Sequence, residues 1–143
     1  MILLEENNYL NIFEISESKI LKLVWKAGSE ELNYELDEYK NLILMWANKV
    51  ENYQPNCVLV NTIYHLVTIP VEMQTWFANE IFPKYSRSKM TKLAFIVSQD
   101  FMSQLSIEQA MEEDKNVPFV THYFVSETEA LNWLLQEEEK ECL

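Results

Sequence analysis

The chain has 143 residues, 48% of them hydrophobic and 13% aromatic, which suits one domain with a sizeable buried core and excludes a disordered chain. Eleven basic residues against 23 acidic ones leave a net charge of −12, a balance that repels a polyanionic backbone and excludes nucleic acid as an expected ligand. Its one glycine, Gly28, excludes phosphate cradles, dinucleotide turns and nucleophile elbows, which need several glycines to reach positive φ or close backbone approach, so no nucleotide cofactor is expected.

The first residues, Met1-Ile-Leu-Leu-Glu-Glu-Asn-Asn, lack the basic start and apolar stretch of a secretory signal. No apolar run reaches membrane-spanning length, and the expected location is cytoplasmic. Tyr9 to Ile15 and Lys19 to Trp25 are short runs of β-branched, aromatic and leucine side chains around Ser16-Glu17-Ser18, the pattern of a hairpin. The second run is almost wholly apolar and predicts a strand covered on both faces; the first alternates and predicts an edge.

From Glu30 to Asn52 the period becomes helical, with Leu32, Leu36, Tyr39, Ile43, Trp46 and Val50 recurring every three or four residues. Cys57 to Val60 predicts a short apolar strand, and Pro70 fits the first turn of a second helix over Val71 to Tyr85 that Pro83 ends or kinks. Leu93 to Val97 predicts a central parallel strand, followed by a third helix around Met102 to Glu113 and a last strand over Phe119 to Val125. Ser126-Glu127-Thr128-Glu129 offers a capping box for a final helix carrying Leu131, Leu134 and Leu135. The order ββαβαβαβα predicts a single α/β domain, its core over about residues 9–135. About five strands form a mixed, mainly parallel sheet flanked by helices. Residues 137–143 form an acidic tail, expected as a solvated helix end.

The segments Thr68 to Trp76, Lys92 to Ser98, Gln104 to Gln109 and Tyr123 to Leu134 resemble the STAS family, the sulfate-transporter and anti-sigma-factor-antagonist domain, in its Bacteroidetes type. The likeness spans about Leu10 to Leu135 and implies the STAS-like fold and a regulatory role. In the anti-sigma antagonists a serine is phosphorylated where a loop enters a helix. The matching stretch here is Thr68-Ile69-Pro70, which puts Ile69 in the serine's place and leaves Thr68 as a substitute or as a helix cap. The resemblance also places partner contact at the loop after Val60 and the start of the following helix. The candidate interaction surface is therefore Asn61, Thr62, Tyr64, His65, Thr68 and Ile69, with Leu66, Val67 and Ile69 partly exposed. Some STAS-like folds resemble CRAL-TRIO carriers, which implies an apolar, lipid-like ligand. The other reading is that Trp25, Trp46, Trp76 and Trp133 pack helices onto the sheet.

Ligands in parallel sheets gather beyond the carboxyl ends of the strands, which draws attention to His65, Ser98 and Asp100. Ser98, His65 and Asp100 supply the residue types of a triad without its glycine-built elbow, and Ser98 and Asp100 read equally as caps of the third helix with His65 on a loop surface. His65 and His122 lie far apart, no cysteine or carboxylate sits at ligand spacing from either, and no metal is expected. Cys57 reads as a small buried hydrophobe, Cys142 lies in the tail, and no disulfide is expected. Lys84, Arg87, Lys89 and Lys92 form a local basic patch, either helix-end cations or a dock for an acidic partner or a second copy of the chain. The chain is read as a non-catalytic protein-interaction or regulatory module, with a carrier or sensor of a small apolar ligand as the alternative.

Overall fold

The computed structural model describes residues 1–136, so the acidic tail at 137–143 and Cys142 lie outside the described residues. Strands β2 (Leu10–Ile15) and β3 (Ile20–Trp25) form the expected antiparallel hairpin, with Lys19 closing the turn at φ 53. An unforeseen strand, β1 (Ile2–Glu6), pairs antiparallel with β2, so β1 is the edge and β2 is interior. The sheet therefore has six strands, and β4 (Cys57–Asn61), β5 (Lys92–Ile96) and β6 (Val120–Phe124) continue it in parallel from β3. Spatial order equals chain order, β1 through β6. Strand β5 is flanked on both sides, as expected, but stands next to the edge rather than at the centre.

The helical period after Gly28 predicts one helix over Glu30 to Asn52, but the chain forms two segments: a 3-10 turn over Ser29–Tyr34, then α1 (Leu36–Tyr53). Glu35, at φ −137 and ψ 60, breaks the helical path between them. Gly28 enters the turn at φ 109 with open space around its α-carbon, so backbone conformation, not room, is what calls for glycine here. The break leaves Leu36 half-buried instead of inaccessible, whereas Ile43 and Phe95 are buried as expected. Ile43→Ala and Phe95→Ala are each expected to cost about 2–5 kcal/mol in chemical denaturation. Leu36→Ala should cost clearly less.

The second predicted helix runs to Arg87 as α2 (Val71–Trp76), a π turn (Phe77–Ile81) and α3 (Phe82–Arg87). Pro83, lacking an N–H, sits in the first turn of α3, and the wide turn before it absorbs one extra residue. That insertion turns the helix so that Phe77, Ile81, Phe82 and Tyr85 all reach the core. Helix α4 (Phe101–Met111) crosses from β5 to β6, and α5 (Glu127–Leu135) follows β6, where Ser126 Oγ accepts the Glu129 N–H at 3.2 Å as its cap.

Crossovers of one hand between strands added always on the same side put their helices on one face of the sheet. Accordingly α1 to α4 bury their apolar residues with Leu21, Leu23, Val58, Val60, Leu93 and Phe95, while α5 packs on the opposite face over Ile20, Cys57, Leu59, Ala94 and Ile96. Lys22, buried within β3, is ion-paired at 2.7 Å to Glu127 in the first turn of α5, which ties that helix across the second face. No helix among the described residues is long and apolar enough to cross a membrane.

Candidate functional site

Beyond the carboxyl ends of β3 to β5, the segment between β4 and α2 spans the gap over the first face without regular structure. Unpaired backbone groups there would be costly to bury, and side chains from three neighbouring elements satisfy them. From the 3-10 turn, Ser29 Oγ donates to Tyr64 O at 2.7 Å and accepts the Leu66 N–H at 2.8 Å; Asn33 donates to Leu66 O and accepts the Thr68 N–H, both at 3.0 Å. From α4, Ser106 Oγ accepts the Ile69 N–H at 2.9 Å, and from α2, Gln74 Nε2 donates to Ile69 O at 3.0 Å.

His65 stands at the centre of this clamp and is buried, which corrects the surface position expected for it. Its Nε2 lies 2.8 Å from Tyr39 Oη and its Nδ1 2.7 Å from Ser103 Oγ. Ser103 Oγ in turn donates to His65 O at 2.7 Å. One proton arrangement satisfies every group: Tyr39 O–H donates to Nε2, Nδ1–H donates to Ser103 Oγ, and the serine proton goes to the carbonyl. The ring is thus neutral, and burial depresses its pKa from 6.5 to about 3. Trp25 presents an edge contact to the ring at 4.8 Å, and burial raises the Tyr39 phenol, which stays a donor.

The Ser103–His65 contact has the outline of a nucleophile beside a base. Ser103 is fully buried, its proton is committed to a carbonyl, and an imidazole titrating near 3 is a weak base at neutral pH, so the pair positions the loop and activates nothing. Ser98, His65 and Asp100 do not assemble as a triad: Ser98 Oγ donates to His65 O at 2.7 Å and accepts the Asp100 N–H at 3.0 Å, away from the imidazole. Asp100 occupies the N-cap position of α4 without a side-chain capping bond.

The six residues of the candidate surface divide. Tyr64 and Thr68 are exposed and Asn61 is half-buried, but Thr62, His65 and Ile69 are buried, as is Val67, because the clamp draws their side chains under the loop. Thr62 Oγ1 donates to Ile96 O at 2.5 Å. Thr68 precedes the N-cap of α2, Pro70, and does not cap the helix. The basic patch is also dispersed. Lys84 and Arg87 pair with Glu51 at 3.7 and 2.6 Å, and Lys92 donates to Trp133 O and Gln136 O at 2.9 and 2.7 Å at the end of α5 on the other face; Lys89 stays exposed. Cys57 is buried, and burial raises its thiol pKa. His122 stacks on Trp133 at 4.4 Å, and no cluster of three metal-ligating side chains occurs among the described residues.

Under the clamp lies a cavity of about 50 Å³, walled mainly by Leu23, Trp25, Ile43, Trp46, Phe77 and Ile107. Outside the clamp, α4 has an inverted character. Ser103, Ser106 and Ala110 face inward, while Phe101, Met102 and Leu105 are 75%, 52% and 38% exposed. Residues three and four apart are neighbours on a helix, so Leu105 joins Phe101 and Met102 in one apolar face over the first two turns. Periodicity alone missed this face, because the serines turned inward serve the loop. No protein-family model matches the chain, and no match was found among curated proteins or solved structures.

Proposed function

We propose that the protein is a non-catalytic interaction module of the STAS-like type, whose docking surface is the outer face of the first two turns of α4 beside Tyr64. The supporting observation is the exposed group Phe101, Met102 and Leu105 on a helix that spends its inward face on serines. Large apolar side chains held in solvent on a well-anchored helix are the usual mark of a contact surface. The carbonyl and amide of the neighbouring loop are already bound, so this surface is rigid when a partner arrives.

The partner's chemistry follows from charge. Asp100, Glu108 and Glu112 lie on or beside α4, and the whole chain carries −12. A second copy would bring like charge to the rim, whereas a segment with two or three large apolar anchors flanked by Lys or Arg matches both the centre and the border. Selection of displayed peptides against the protein at low salt should enrich such segments. Phe101→Glu/Leu105→Glu should weaken their binding at least tenfold, or about 1.4 kcal/mol, while thermal stability stays near wild type because both positions are exposed. Undiminished binding by the double variant, or a dimer in sedimentation that this variant abolishes, would sink the proposal.

A further inference from the structure

The cavity beneath the clamp is almost entirely hydrocarbon, and its few polar groups can be accounted for one by one. Thr62 Oγ1 is committed to Ile96 O, Tyr39 Oη to His65, and Trp46 Nε1 donates to Tyr85 Oη at 2.9 Å. Among the described residues no acceptor takes the Trp25 indole N–H, and the other exception, beside Trp46, is Tyr85. Its hydroxyl receives the indole proton, but among the described residues its own proton has no acceptor, although the side chain is buried and lines the cavity. A buried donor left unpaired is costly, and native structures rarely keep one without an occupant to answer it.

We infer that this cavity is a binding site for a small neutral molecule that offers one hydrogen-bond acceptor to Tyr85 and a short apolar body to the surrounding wall: a short-chain carbonyl compound or alcohol. Neutrality follows from the wall, which holds no charged side chain to offset an ion's desolvation. Size follows from the volume. About 50 Å³ is well below the ~150 Å³ of an apolar cavity that takes benzene, so the space suits about three or four non-hydrogen atoms and not an acyl chain. Access follows from burial. Every lining residue is buried except Met111, half-buried at the end of α4, and its flexible thioether forms the door. This site is distinct from the α4 docking face, so each can fail without the other.

Acetone and 2-methylpropene are the probes, since the two have nearly the same shape and only acetone carries an acceptor. Titration of labelled protein, followed through the Trp46 indole N–H and the Ile107 and Ala110 methyl resonances, should show saturable binding of both in the millimolar range expected for so few atoms. Tyr85→Phe should weaken acetone about tenfold and leave 2-methylpropene within a factor of two. Because that variant also strips Trp46 of its acceptor, Ala110→Leu serves as an independent check: it fills the cavity, leaves the Tyr85–Trp46 pair in place, and should abolish both. Non-saturating shifts, equal losses for the two probes in Tyr85→Phe, unchanged binding in Ala110→Leu, or water that acetone cannot displace would each overturn the assignment.

Discussion

Acidification from pH 7 to pH 5 is expected to lower the unfolding free energy by about 2 kcal/mol through His65 alone. In the fold the ring titrates near 3 because burial penalises its charged form, against 6.5 in the unfolded chain. Between those values the unfolded state binds a proton that the folded state refuses. The stability tied to the neutral ring is therefore whole above pH 6.5 and is lost as the pH falls towards 3, at about 1.4 kcal/mol per unit. The sign is opposite to that of a histidine gaining an anionic partner. Glu51 works in a lower window: its bond to Arg87 holds its carboxyl below the ordinary 4.5, so its contribution is lost only under more acid conditions. His65→Gln keeps an oxygen to accept from Tyr39 while removing the titration, and its urea midpoint should change little from pH 7 to pH 5. Parallel loss in wild type and variant would show that His65 is not the group responsible.

Ile69→Glu is expected to abolish cooperative folding. Ile69 is 4% exposed, lines the cavity, and has its N–H and C=O bound by Ser106 and Gln74. A carboxylate there has no cation to meet it, and an uncompensated buried charge costs several kcal/mol, comparable with the whole stability of a domain. From the sequence, Ile69 reads as part of an apolar group on a contact loop, and Ile69→Glu would then disrupt only association. The clamp reverses that expectation. Tyr64→Ala, five residues earlier in the loop but exposed, should stay within about 0.5 kcal/mol of wild type. Circular dichroism on heating separates the two, and a wild-type transition in Ile69→Glu would mean that the loop is not packed as described.

What the sequence made legible was every element whose side chains repeat with a clear period. Leu21, Leu23, Val58, Val60, Leu93 and Phe95 announced their buried strands, and Tyr39, Ile43, Trp46 and Val50 the inner stripe of α1. Strand β1 left no such trace: Ile2, Leu3 and Leu4 are followed by two glutamates, and an edge strand is held by backbone pairing that side chains do not report. The π turn was equally silent, since one inserted residue shifts a helical stripe without ending it. The site was harder still. Burial of His65 depends on Tyr39 and Ser103, separated from it by 26 and 38 positions, and no single sequence states such pairings. In α4 the usual inference inverted, because small serines turned inward to serve a loop and left the large apolar residues outside. The basic cluster divides in a related way: Lys84 and Arg87 lie in the last turn of α3, as the helix-end reading has it, and pair with Glu51, whereas Lys92 reaches the far end of α5.

Because the six strands lie in the order in which they are synthesised, the sheet is built by accretion. Each emerging strand finds its neighbour already in place, no later strand must be threaded between earlier ones, and every pairing joins strands consecutive along the chain. A nascent chain ending after β4 would already hold the hairpin, α1 and three consecutive pairings, with one growing edge waiting for β5. The same order decides what a C-terminal deletion removes. Cutting after α4 strips the outermost parallel strand together with α5, which among the described residues is the helix that shields the second face, so the truncated sheet ends on β5 with Ala94 and Ile96 uncovered. Such a remnant has lost a layer instead of a keystone, and its hazard is adhesion along a bare apolar border more than collapse of its interior.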